Sequence, residues 1–83
     1  MSVNMEEAIA AVRDMLEERD VRYSLDNVHD LFYVFSVGFN LSHTKLSSAT
    51  VKISVIPSKK NPELCNRIMS YATIGIKIGR AHV

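Results

Sequence analysis

Met5, Ala8, Ile9, Val12, Met15 and Leu16 recur at the i, i+3, i+4 and i+7 spacing that gathers them on one face of a helix. The pattern predicts a helix over residues 4–19. Asn4 stands where its side chain accepts from the first free backbone N–H groups, and Glu7 completes a capping-box start. Glu6 and Glu7 lie at the positive end of the helix dipole. Such a stripe requires a sheet or another helix to cover it. The polar side is acidic, which disfavours docking on an anionic lipid surface.

From Val21 the period falls to two. Val21, Tyr23 and Leu25 alternate with Arg22, Ser24 and Asp26, as in a short edge strand or an extended approach. Asn27-Val28-His29-Asp30 reads as a turn. Leu31 to Phe39 then reads as a central strand, with Leu31, Tyr33, Phe35, Val37 and Phe39 on one face and Phe32 and Val34 on the other. After a polar turn at Asn40 to Lys45, Ala49, Val51, Ile53 and Val55 point one way and Ser48, Thr50, Lys52 and Ser54 the other. Pro57 to Pro62 ends that strand. In the last strand Ile68, Ser70, Ala72, Ile74 and Ile76 alternate with Met69, Tyr71, Thr73 and Gly75.

This order predicts an α+β fold, an N-terminal amphipathic helix packed on a three- to four-stranded antiparallel meander. The main strands fall near 31–39, 47–56 and 67–77. Met5, Ile9, Val12 and Leu16 should pack on one face, with Ala49, Val51, Ile53 and Val55 toward the helix and Lys52 exposed. A slip of one residue would reverse all of these directions.

Composition narrows the class. The 83 residues are 47% apolar and 23% charged, with a net charge of +1, which excludes a disordered chain. No apolar run approaches the roughly 18–20 residues of a membrane-spanning helix. Met1 to Glu7 lacks the basic start and apolar core of a secretory signal. One cysteine, Cys65, allows no internal disulfide and makes a reducing cytoplasm the expected compartment. Charge is uneven: residues 1–30 hold eight acids against three arginines, and residues 31–83 hold seven bases against Glu63. The bases sit singly along strands or in one turn, without interleaved aromatic residues, so nucleic acid is not the expected partner.

No catalytic, cofactor-binding or metal-ligating residue is predicted. His29, His43 and His82 are too scattered for a helical metal pair, and only Cys65 offers a soft ligand. Only Arg67 stands near Cys65 to lower its pKa, so an incidental thiol is expected. Gly38 and Gly75 fall inside strands, where bulges or bends are the common cause, and form no phosphate-cradling loop with Gly79. Glu6/Glu7 and Glu17/Glu18 fit a solvated helix face, and Met5 and Met15 the core stripe.

Ile78-Gly79-Arg80-Ala81-His82-Val83 resembles the translation of a widely used short-read sequencing adapter. Lys77 fits the adapter's frame, and its next triplet is a stop. The resemblance implies one α+β domain over 1–77 and a non-native, adapter-encoded tail over 78–83, with the native sequence expected to depart after Ile76.

The chain also resembles the YbjN-type domain of bacteria, described as a sensory-transduction regulator and similar in fold to type III secretion chaperones. The resemblance rests on the helix ending Leu16-Glu17-Glu18, on Val21-Arg22-Tyr23, and on the apolar strand through Phe35 and Val37. It continues through Lys45-Leu46-Ser47-Ser48-Ala49-Thr50-Val51 and Ser70-Tyr71-Ala72-Thr73-Ile74-Gly75-Ile76, and so covers about residues 5–76. It implies a second long helix and further strand after the third main strand, hence an incomplete domain here. It also implies a binding or regulatory module, and carries over no catalytic residues.

The expected function is therefore a non-enzymatic protein-interaction module, with chaperone-like partner binding, whose partner is a protein or a second copy. No membrane, metal or cofactor is expected. Two other classes stay open: a small ligand-binding or enzymatic domain with its site in the missing C-terminal part, and a weak nucleic-acid binder. So small a core, without disulfide or metal, predicts self-association of the isolated chain.

Overall fold

Local sequence sets each element, and the hydrophobic stripe then fixes how they stack. A computed structural model describes residues 3–40 and 46–76. Helix α1 (Met5–Glu18) opens on the capping box: Asn4 Oδ1 accepts from the Glu7 N–H at 2.7 Å, and Glu7 Oε1 accepts from the Asn4 N–H at 3.4 Å. It closes with a Schellman motif. The Val21 N–H reaches the Leu16 carbonyl and the Asp20 N–H the Glu17 carbonyl, both at 3.1 Å, with Asp20 at φ 54°.

Four strands follow, β1 (Ser24–Val28), β2 (Phe32–Asn40), β3 (Leu46–Pro57) and β4 (Cys65–Ile76), all antiparallel and in the order β1-β2-β3-β4. The architecture is the expected α+β meander with an N-terminal helix. The first connection is tighter than the sequence suggests, because Asn27 and Val28 already pair with Tyr33 and Phe32. The turn is made by His29 and Asp30, both left-handed (φ 52° and 58°), and the Leu31 N–H donates to the Val28 carbonyl at 2.8 Å. Two positive-φ residues in succession are what a type I′ hairpin turn demands. Leu31 thereby leaves the strand and stands exposed. The expected turn at Asn40 to Lys45 lies mostly outside the described residues, as does the tail 78–83.

The core joins Met5, Ala8, Val12 and Leu16 of α1 to Phe35, Val37, Ile53 and Val55 of the two central strands. Phe35 and Val55 are fully buried. Ile9, Val21, Tyr23, Tyr33, Val51 and Cys65 pack around them, and the Tyr23 ring meets that of Phe35 at a centroid distance of 5.6 Å. Ile53 and Val55 thus face the helix, as alternation predicts. Two side chains depart from expectation. Lys52 is half-buried rather than exposed, because it lies on an inner strand with Ser36 and Tyr71 as its cross-strand neighbours. Met15 sits at the margin of the stripe and is exposed.

The 14-residue helix is shorter than the β3–β4 hairpin is long, with 12 residues in each of those strands. A helix rises about 1.5 Å per residue and a strand about 3.3 Å, so α1 cannot cover the whole sheet. The far part of the face therefore leaves Phe39 and Ile74 exposed. The extents of 52 × 27 × 19 Å reflect this elongation. At the near end the chain start is strapped to the β3–β4 connection: the Met5 N–H donates to the Glu63 carbonyl (2.7 Å) and the Cys65 N–H to the Val3 carbonyl (2.8 Å).

Candidate interaction surface

Because side chains alternate along a strand, a sheet with its helix on one face presents a second face of equal size. Here that face carries no described element. Its cross-strand rows are Asp26–Val34–Ser54–Met69 and Ser24–Ser36–Lys52–Tyr71, and beyond the first of these lie the pairs Val28–Phe32 and Ile56–Arg67. Met69 and Tyr71 stand exposed on β4, Tyr71 by 53%. The cations Lys52 and Arg67 flank this apolar centre, and the acid Asp26 lies at the opposite edge on β1. Beside the Arg67 end, Asp30, Leu31, Phe32, Pro57 and Lys59 help line a cleft of about 470 Å³. Asp30 faces the cations Lys59 and Arg67 in the lining of this cleft, to which Ser58 also contributes.

The sheet ends in two unlike edges. β1 is five residues long and carries Asp26. β4 is 12 residues long, its only charged residue is Arg67, and it holds no proline. Among the described residues, only the Val3–Met5 segment pairs at the outer side of this end of the sheet, through the Asn4–Leu64 bridge and the Cys65 N–H. Among the described residues nothing pairs with the outer edge from Asn66 onward. Next to its start, between α1 and β4, lies a groove of about 380 Å³ lined by Val3, Ala8, Ala11, Cys65 and Ile68.

The candidate nucleophilic, metal-ligating and acid–base side chains are spread apart among the described residues. His29 is exposed in the β1–β2 turn, while His43 and His82 fall outside the described residues. Cys65 is half-buried, and its thiol contacts the Arg67 carbonyl at 3.6 Å. Glu7 serves the helix cap, and Glu17 accepts from the Tyr23 hydroxyl at 2.7 Å. That hydrogen bond, with some desolvation and the carboxylate charge, raises the Tyr23 pKa above its ordinary value. Gly38 pairs regularly with Thr50 and makes no bulge; a register shift does lie beside Gly75, between Leu46 and Ser48 of β3. Among the described residues no three His, Cys, Asp or Glu side chains are grouped to hold a metal ion, and no helix is long and apolar enough to cross a membrane.

The Lys52–Tyr71 neighbourhood is not visible in the order of bases and aromatics along the chain, because 19 positions separate the two and only the β3–β4 register joins them. The uncharged run after Arg67 was the available signal for an open edge. No family model, curated protein or solved structure matches the chain.

Proposed function

We propose that the chain is a non-enzymatic protein-interaction or regulatory module of the YbjN type, which holds a protein partner against the bare face of its sheet in a reducing cytosol. The observation that carries this reading is the second sheet face, where Met69 and Tyr71 stand exposed on β4 and share the face with half-buried Phe32 and Ile56. Apolar surface of this kind, rimmed by Lys52 and Arg67, suits a partner segment that brings its own apolar side chains and an acidic fringe. The residue pattern shared with YbjN-type domains supports the same class. A weak nucleic-acid contact is the second reading, favoured by the placement of Tyr71 beside Lys52 with Arg67 on the same face.

A photoreactive phenylalanine analogue at Met69, compared with one at Glu18 on the exposed side of α1, tests both readings. In host cells the Met69 probe should give one discrete protein adduct that Tyr71→Asp abolishes, and the Glu18 probe should not. Equal labelling from both positions, or none from Met69, rejects the protein-binding reading. A nuclease-sensitive adduct from Met69 that fades with added salt selects the second.

A further inference from the structure

We propose that two copies of this chain pair through the outer edges of their β4 strands, antiparallel about a two-fold axis at Tyr71, so that the two four-stranded sheets become one. This inference does not rest on the partner-binding reading, which concerns the sheet face.

A long edge strand without lysine, proline or inward charge is a template for another strand, and natural sheets ordinarily blunt such edges. β4 has none of these devices after Arg67. An antiparallel edge-to-edge pair with two-fold symmetry places the axis perpendicular to the sheet. Residues equidistant from the axis then face each other, with their side chains on the same face.

About Tyr71 this arrangement is self-complementary. Ile68 meets Ile74 of the second copy, and Ile74 meets its Ile68; these are two of the exposed large apolar residues, at 47% and 58%. Ser70 meets Ala72, both small, and Met69 meets Thr73. Arg67 meets Gly75, so no like charges are opposed. Moving the axis to residue 70 places Ile74 opposite Asn66 and Arg67 opposite Thr73, and the apolar match is lost.

Two features outside β4 agree with the same register. The paired span, Arg67 to Gly75, begins beyond the point where the Val3 carbonyl takes the Cys65 N–H, so the N-terminal strap does not obstruct it. Ile74 of the second copy, opposite Ile68 on the helix-bearing face, arrives at the groove lined by Ala8, Ala11 and Ile68. An isoleucine side chain suits that apolar hollow. Both helices then lie on one side of the joined sheet, and both bare faces become one continuous surface on the other.

The test uses the full chain. Sedimentation should show a dimer at micromolar concentration, and Tyr71→Cys in a Cys65→Ser background should form a disulfide-linked dimer on mild oxidation. Ser24→Cys on the β1 edge, in the same background, should not. Ile68→Glu with Ile74→Glu, and separately Ile68→Lys with Ile74→Lys, should each give a monomer with native circular dichroism. Mixing the two should restore a dimer, since every Glu then faces a Lys. A wild type that stays monomeric throughout the micromolar range overturns the proposal. So does cross-linking from Ser24→Cys but not Tyr71→Cys, or failure of the folded charge-swapped pair to associate.

Discussion

Val34 and Ser54 stand opposite each other on the helix-free face of the sheet, yet each is only 7% exposed. Their neighbours in the sheet are Phe32 and Ile56 in the next row on one side, Ser36 and Lys52 on the other, and Met69 beside Ser54. The bare face therefore has a buried floor, although among the described residues no second layer lies over it. Val34→Ala should cost about 1–3 kcal/mol, as loss of a buried aliphatic does. Leu31→Ala, at an exposed turn, should change stability by less than about 0.5 kcal/mol. Equal effects of the two in urea denaturation would contradict this picture.

Gly38 lies in β2 opposite Thr50, and a Cβ built there meets nothing within 4 Å. The position loses backbone entropy without a packing return. Gly38→Thr should raise stability by about 1 kcal/mol, through strand preference and a cross-strand threonine pair. An unchanged or lower denaturation midpoint would show that the strand needs glycine for another reason.

Asp20 occupies the left-handed position that ends α1, where glycine is the usual residue, and its carboxylate stands at the negative end of the helix dipole. Asp20→Gly removes both penalties and should stabilise by about 1 kcal/mol. Asp20→Val should destabilise, since a β-branched side chain is strained at positive φ. Thermal melts of the two variants should move in opposite directions.

The Tyr23–Glu17 hydrogen bond favours the protonated phenol, so the folded-state pKa lies above the unfolded value of about 10. Its contribution is fully present below the unfolded pKa and is lost as pH rises through the folded one. Tyr23→Phe keeps the ring against Phe35 but not the hydroxyl. The stability gap between wild type and Tyr23→Phe should therefore narrow from about pH 9 upward. A gap constant up to pH 11 would reject the coupling.

The helix, its cap and the inward direction of Ile53 and Val55 were legible because a periodic pattern and a nearby polar partner specify them locally. The His29–Asp30 turn was partly hidden: neither residue is the glycine that normally announces two positive φ values, and Asn27 looks like a turn residue while pairing with Tyr33. The half-burial of Lys52 depends on strand neighbours from distant parts of the chain, which composition does not disclose. The same holds for the bare face, a property of strand order, whereas the open edge left a partial trace in the uncharged run after Arg67. Sequence alternation says which residues share a face, but not which face the single helix will choose.

The Asn4–Leu64 bridge also shapes the order in which the fold forms. Every strand pairs with its neighbour in sequence, so the meander assembles from contacts that close short loops, on the fast hairpin timescale. The strap joining Val3 and Met5 to Cys65 and Glu63 instead closes nearly the whole described chain, and its entropic cost is met only once the sheet exists. This order makes helix docking the expected late event, so substitutions at the strap should raise the unfolding rate more than they lower the folding rate. Ahead of it stands a sheet whose core residues Phe35 and Val55 are still open to water.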